Sequence, residues 1–207
     1  MREGFDLSVY FVADPACCDG RDITDVVMRA VAGGATMVQY RNKSGNMAEI
    51  HMQAAMLAEL LKGEGIPFLV NDYVDVAFAV QADGVHLGQG DASPADAREK
   101  LGEAAIIGQT AFTPEHMAAV DPSVVDYVGT GPFYETKTDK GKPVLGAEKF
   151  AEMVKLSPVP VVGIGGINAA NAKEVIEAGA QGVAMMRSIS EATDPAAAAK
   201  ALREAIT

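Results

Sequence analysis

Eight short runs rich in Val, Ile, Phe and Tyr recur along the chain, each followed by a polar or glycine-bearing loop and then by a stretch of helical periodicity. The pattern predicts strands at residues 8–13, 37–41, 68–71, 84–87, 106–109, 127–130, 159–164 and 182–186, and helical stretches that include 23–32, 47–62, 94–101, 147–155 and 169–178. Several of these strands are almost continuously apolar, as a parallel sheet covered on both faces requires. Eight strand–loop–helix units with short connections fit a closed (β/α)8 TIM barrel better than an open doubly wound sheet. Ser93-Pro94 adds a local signal, a cap residue followed by a proline at the first turn of a helix.

The length of 207 residues and a 49% hydrophobic content can bury a substantial core, and no low-complexity or Pro/Ser-rich linker interrupts it. Residues 1–207 are therefore read as a single barrel domain. Apolar runs are broken by Pro and Gly well before the roughly 18 residues a membrane-spanning helix needs. The acidic N-terminal segment lacks a signal-peptide layout, so the expected location is cytoplasmic. Cys17 and Cys18 are adjacent, with neither a Cys-x-x-Cys pair nor His-rich zinc spacing, and read as two reduced loop thiols. A formal net charge of −11 argues against nucleic acid or anionic membrane as a partner. Any anionic ligand must meet a local concentration of positive groups.

In a (β/α)8 barrel the C-terminal strand ends converge on one mouth, where the chemistry is done. Asp72 and Asp91 each follow a strand, and two facing carboxylates suit Mg2+, whose other positions go to water and phosphate oxygens. The competing reading makes each a helix cap. Arg41 and Lys43 end the second strand one residue apart, on the same side of an extended chain, and form a positive edge fit for a pyrophosphate. Two solvated cations would be the alternative. The long connection after strand six carries Thr136, Lys137, Thr138, Asp139 and Lys140, either a phosphate-gripping lid or a charged surface loop. After strand seven, Gly163-Ile164-Gly165-Gly166 lets backbone N–H groups approach a phosphate, together with the segment after strand eight. His51 and His116 fall in helical stretches and His86 within strand four; none accompanies a nucleophile, and all three read as packing or surface residues.

These segments, in this order, resemble the thiamine phosphate synthase family over residues 9–192. Gln39-Tyr40-Arg41-Asn42-Lys43 is similar to its Gln-x-Arg-x-Lys segment, Asn71-Asp72 to its Asn-Asp motif, and His86-Leu87-Gly88-Gln89-Gly90-Asp91 to its His-Leu-Gly-Gln-x-Asp motif. Gly108-Gln109-Thr110 stands where the family has Gly-x-Ser, Thr136-Lys137-Thr138 matches its Thr-x-Thr, and residues 162–168 resemble its Gly-Ile-Gly-Gly-Ile segment.

The resemblance implies a transferase that joins 4-amino-5-hydroxymethyl-2-methylpyrimidine diphosphate to a thiazole phosphate and releases pyrophosphate. It further implies Mg2+ on Asp72 and Asp91, the diphosphate held by Arg41, Lys43, Asn71 and Thr110, and Gln39 near the pyrimidine, with Tyr40 and Asn42 among the contacts of that segment. Thr136, Thr138, Gly166 and the Met186–Arg187 backbone are assigned by the same resemblance to the thiazole phosphate, and Lys137 and Asp139 are counted among the substrate contacts. The family places Lys directly after Thr-x-Thr; here Asp139 intervenes, and Lys140 is taken as the lysine that reaches pyrophosphate, in a catalytic set with Arg41, Lys43 and Thr110. Arg187 replaces a serine common in the family. Rival readings are a thiazole tautomerase-like paralogue and a barrel that binds thiamine precursors without catalysis. The partners implied are small molecules, with room for a homo-oligomer.

Overall fold

A computed structural model of the chain describes residues 4–138, 141 and 143–207. Its strands are β1 (Val9–Ala13), β2 (Met37–Tyr40), β3 (Phe68–Asn71), β4 (Gly84–Leu87), β5 (Ile106–Thr110), β6 (Tyr127–Thr130), β7 (Val161–Ile164) and β8 (Gly182–Met185). The helices are α1 (Ile23–Ala32), α2 (Met47–Glu64), α3 (Val74–Ala79), α4 (Pro94–Leu101), α5 (Pro114–Ala118), α6 (Gly146–Leu156), α7 (Ala172–Glu177), α8 (Arg187–Ser190) and α9 (Pro195–Ile206). All strands pair in parallel with their sequence neighbours, and β8 closes on β1 with Val9 beside Val183, so the sheet is the expected eight-stranded barrel.

All eight strands fall where the apolar runs predict them. β7 starts at Val161 and not at 159, because Pro160 has no N–H to give the ladder, although its carbonyl still accepts from Val128 N at 2.9 Å. α4 begins as its sequence requires, with Ser93 Oγ accepting from Asp96 N and Pro94 in the first turn. Among the described residues no helix is long and apolar enough to cross a membrane.

Strand alternation creates two separate cores. Val9, Phe11, Val38, Phe68, Val85 and Val128 face outward and pack with the helices. Tyr10, Val12, Met37, Leu69, Ile106, Tyr127, Val162 and Ala184 fill the barrel. Space inside is allotted by glycines: a Cβ at Gly108 would lie 2.2 Å from Tyr127 Cζ, and one at Gly129 would lie 3.1 Å from His86 Cε1. Leaving those positions bare lets two bulky polar rings stand in the barrel. Outside it, Arg98 on α4 and Asp126 form a buried pair at 2.7 Å, and Asp126 also accepts from Ile107 N at 2.8 Å, fastening α4 to the start of β5. The terminal nitrogens of Arg98 also donate to the carbonyls of Ala105 and Val124, which helps offset the burial of charge, while its Nε has no hydrogen-bond partner among the described residues.

Candidate active site

The same alternation decides which strand-end residues reach the mouth. It opens as a cavity of about 640 Å3 lined by residues from all eight strand ends. Gln39, Arg41 and Lys43 line it, whereas Tyr40 and Asn42 do not. Tyr40 is turned into the outer core, with its hydroxyl donating to Gln53 Oε1 at 2.7 Å. Asn42 shapes the following turn, its Oδ1 accepting from Ser44 N at 3.1 Å and Gly45 N at 2.8 Å. The placement of these two among the substrate contacts is corrected accordingly: one residue of shift along a strand reverses the side chain's face.

Arg41 forms an ion pair with Asp14, an acid the sequence reading did not single out, and Lys43 Nζ lies 3.2 Å from Asp72 Oδ2. Asp72 sits at a positive φ of 64°, and its amide donates to His86 O at 2.9 Å. Burial and then its neighbour Asp91 push its carboxyl above the usual range, against the pull of Lys43. Asp91 Oδ2 accepts from Gly88 N at 2.6 Å. Neither acid caps the following helix: α4 takes its cap from Ser93, and α3 has no side-chain cap. A half-buried carboxylate held above its usual range beside a second acid fits a hard divalent cation, which offsets the repulsion and needs only one or two protein carboxylates. Among the described residues no group of three or more His, Cys, Asp or Glu side chains is placed to hold a metal ion.

On the opposite side the backbone dominates. Gly165 and Gly166 adopt φ of 99° and 68°, and a Cβ there would come within 2.6 Å of Pro132 and 2.5 Å of Glu135 O respectively. That tight seat is stitched by Phe133 N to Ile164 O at 2.9 Å and Tyr134 N to Gly165 O at 3.0 Å. Thr136, Lys137, Thr138, Gly166, Met186 and Arg187 all line the cavity. Arg187 Nε donates to Thr138 Oγ1 at 3.2 Å while its guanidinium also pairs with Glu191, so it faces the mouth and bridges two of its loops. Asp139 and Lys140 lie outside the described residues.

Asn71 and Thr110 also line the mouth, and below them runs a row of hydrogen bonds across the barrel. Gln39 Nε2 donates to Tyr10 Oη at 2.6 Å; Tyr10 and Tyr127 hydroxyls are 2.7 Å apart; Tyr127 Oη is 3.0 Å from His86 Nδ1; and His86 Nε2 is 3.0 Å from Thr110 Oγ1. Burial lowers the His86 pKa to about 4, so the ring is neutral at ordinary pH, and burial raises both tyrosines. His86 is thus neither a surface residue nor mere packing. Tyr10 and Tyr127 were missed outright, although each occupies the inward parity of its strand, the signal that could have found them.

A family model described as thiamine monophosphate synthase matches residues 9–189. The thiamine-phosphate synthase of Xanthobacter autotrophicus is 46% identical, the match covering 100% of this chain and 98% of that protein. That of Azorhizobium caulinodans is 43% identical with the same coverage. Among solved structures, a thiamine phosphate pyrophosphorylase from Pyrococcus furiosus superposes with a TM-score of 0.86 at 32% identity, over 97% of this chain and 95% of that one. A 3-hexulose-6-phosphate synthase at 17% identity and a TM-score of 0.69 shares the fold alone.

Proposed function

The chain belongs to the thiamine monophosphate synthase family and is a transferase, and from that premise we propose that it joins 4-amino-5-hydroxymethyl-2-methylpyrimidine diphosphate to a thiazole phosphate, in a cytoplasmic, Mg2+-assisted reaction. The observation that carries the reading is the two-sided mouth, with paired carboxylates and cations facing a glycine-built seat across one cavity. Gln39 would meet the pyrimidine, while Arg41, Lys43 and Asn71 would hold the diphosphate and Thr110 would donate to one of its oxygens. Gly166, Thr136, Thr138 and the Met186–Arg187 backbone would seat the thiazole phosphate. Lys137 would add positive charge, Lys140 would be the lysine that reaches the pyrophosphate, and Asp139 is counted among the substrate contacts.

The bond between the pyrimidine methylene carbon and the diphosphate oxygen breaks, its electron pair leaving with pyrophosphate. The resonance-stabilised pyrimidine cation is then captured by the lone pair of the thiazole nitrogen. No protein nucleophile is required, and the barrier is separation of charge. Asp72 and Asp91 would hold Mg2+, which when bound supplies neutralisation of the departing pyrophosphate. Arg41 and Lys43 are prearranged for the same charge, since Asp14 and Asp72 already fix them at the mouth.

The tautomerase-like alternative needs a histidine free to exchange protons. Of the described cavity residues His86 alone is a histidine, and both its ring nitrogens are engaged. Formation of thiamine phosphate and pyrophosphate from the two purified substrates, with Mg2+ and with chelator, tests the proposal. Mg2+-dependent product supports it; no product with both ligands bound would favour the non-catalytic barrel. The buried free thiols Cys17 and Cys18 are in keeping with a reducing compartment, and a homo-oligomer would be compatible with this reading.

A further inference from the structure

The bonds under the mouth take one direction when the Gln39 amide stands with Nε2 toward Tyr10, as it does here. Gln39 Nε2 carries only protons, so Tyr10 Oη accepts from it, and a row in which every hydroxyl proton finds an acceptor has Tyr10 donating to Tyr127. Tyr127, accepting there, has its own proton left for His86 Nδ1. A neutral imidazole that accepts at one nitrogen donates at the other, so His86 is the Nε2–H tautomer and donates to Thr110 Oγ1. The Thr110 proton is then unspent and belongs to the mouth, while at the far end Gln39 keeps its amide oxygen as an acceptor.

We infer that Gln39, Tyr10, Tyr127, His86 and Thr110 form one polarised chain that couples recognition of an amino-bearing heterocycle at Gln39 Oε1 to hydrogen-bond donation by Thr110 to a departing phosphate oxygen. His86, Tyr10 and Tyr127 are its positioning residues. A substrate whose ring offers a donor to Gln39 Oε1 favours the orientation that leaves Nε2–H toward Tyr10, and with it every link onward to Thr110. A ring offering an acceptor in its place favours the turned amide, reverses each link and withdraws the Thr110 proton toward His86. Specificity for the heterocycle and assistance to the leaving group are in this way two readings of the same orientation. The barrel has made room for this row at the expense of two strand positions, since Gly108 yields its place to Tyr127 and Gly129 to His86. The identity of the ligand groups rests on the synthase reading; the polarity of the chain does not.

The test is 15N spectroscopy of the full-length protein labelled at its 3 histidines, with the His86 signals assigned by through-bond correlation. The ligand-free wild type is expected to show Nε2–H with bare Nδ1; an Nδ1–H ring there overturns the inference, whatever any variant does. Gln39→Glu, in alkaline buffer that keeps the new carboxyl ionised, replaces the terminal donor by an acceptor and should switch His86 to Nδ1–H from the other end of the chain. An unchanged tautomer in the folded variant overturns it.

Tyr127→Phe cuts the chain while keeping the ring, and should lower kcat about fivefold to tenfold with KM for the pyrimidine diphosphate unchanged, as loss of a bond that strengthens in the transition state predicts. An unchanged kcat overturns the coupling. If the expected tautomers appear and no thiamine phosphate is ever formed, the synthase reading fails and the polarity stands; product from a protein with the opposite tautomer does the reverse.

Discussion

Between β1 and β4 the mouth is furnished by charged side chains that hold one another, Arg41 by Asp14 and Lys43 by Asp72, whereas from β6 to β8 it is furnished mainly by backbone brought close by Gly165 and Gly166. The first side can be altered through a single functional group, by pH, or by a cation. The second carries Lys137 and Arg187 as well, but its seat is limited chiefly by space, because two glycines at positive φ press against residues 132–135. One side exerts charge on a leaving group and the other seats a phosphate, and each uses the part of the chain suited to that task.

The largest effect that would separate the two sides is expected from Asp91→Ala. Loss of one electrostatic partner of a developing charge costs on the order of 10²–10³ in kcat, and the response to Mg2+ should flatten with it. Steady-state rates across a Mg2+ titration check this, and full rate with full metal dependence would remove Asp91 from the proposed site. Next comes Gly166→Ala. With φ at 68° and Glu135 O 2.5 Å from the new Cβ, the seat must open. KM for the thiazole phosphate should rise about tenfold and stability fall by about 1–3 kcal/mol, read by kinetics and thermal melts; an unchanged KM would mean that this seat does not hold the phosphate.

A smaller effect follows from Asp72. Its folded carboxyl titrates above the ordinary value of 3.8, so the folded chain retains a proton that the unfolded chain has released. Stability in metal-free buffer should therefore fall as pH rises from 3.8 through the folded value, and Asp72→Asn should lose that decline while losing activity. Melting curves across this range, with and without Mg2+, decide it: a decline that survives in Asp72→Asn would place its origin elsewhere. Tyr40→Phe should do least. Removing the bond to Gln53 costs roughly 1 kcal/mol, and kcat/KM should stay within about twofold; a large loss of activity would return Tyr40 to the mouth.

Fold was legible because eight apolar runs sit between glycine and polar loops, and because covered parallel strands need no alternation to be recognised. The short helices α3, α5 and α8 hold four to six residues and were not read, although α7, with six, falls inside the predicted stretch 169–178. At the site, motifs named the strand ends correctly but treated each as a block, so Tyr40 and Asn42 were carried along with Gln39 and Arg41. The row beneath was missed for a different reason: inward parity marks its members singly, but Tyr10 and Tyr127 are 117 positions apart, and His86 and Tyr127 are 41 apart. Only closure of the barrel makes them neighbours.

The empty place at Gly108 has a consequence for descent. Any side chain there would collide with the Tyr127 phenol, since even a Cβ would sit 2.2 Å from Cζ. A change at 108 thus does more than crowd a strand; it evicts the ring on β6 and severs what that ring connects. The constraint runs one way: a side chain gained at 108 requires the ring at 127 to shrink or move, whereas a smaller residue at 127 makes no demand on Gly108.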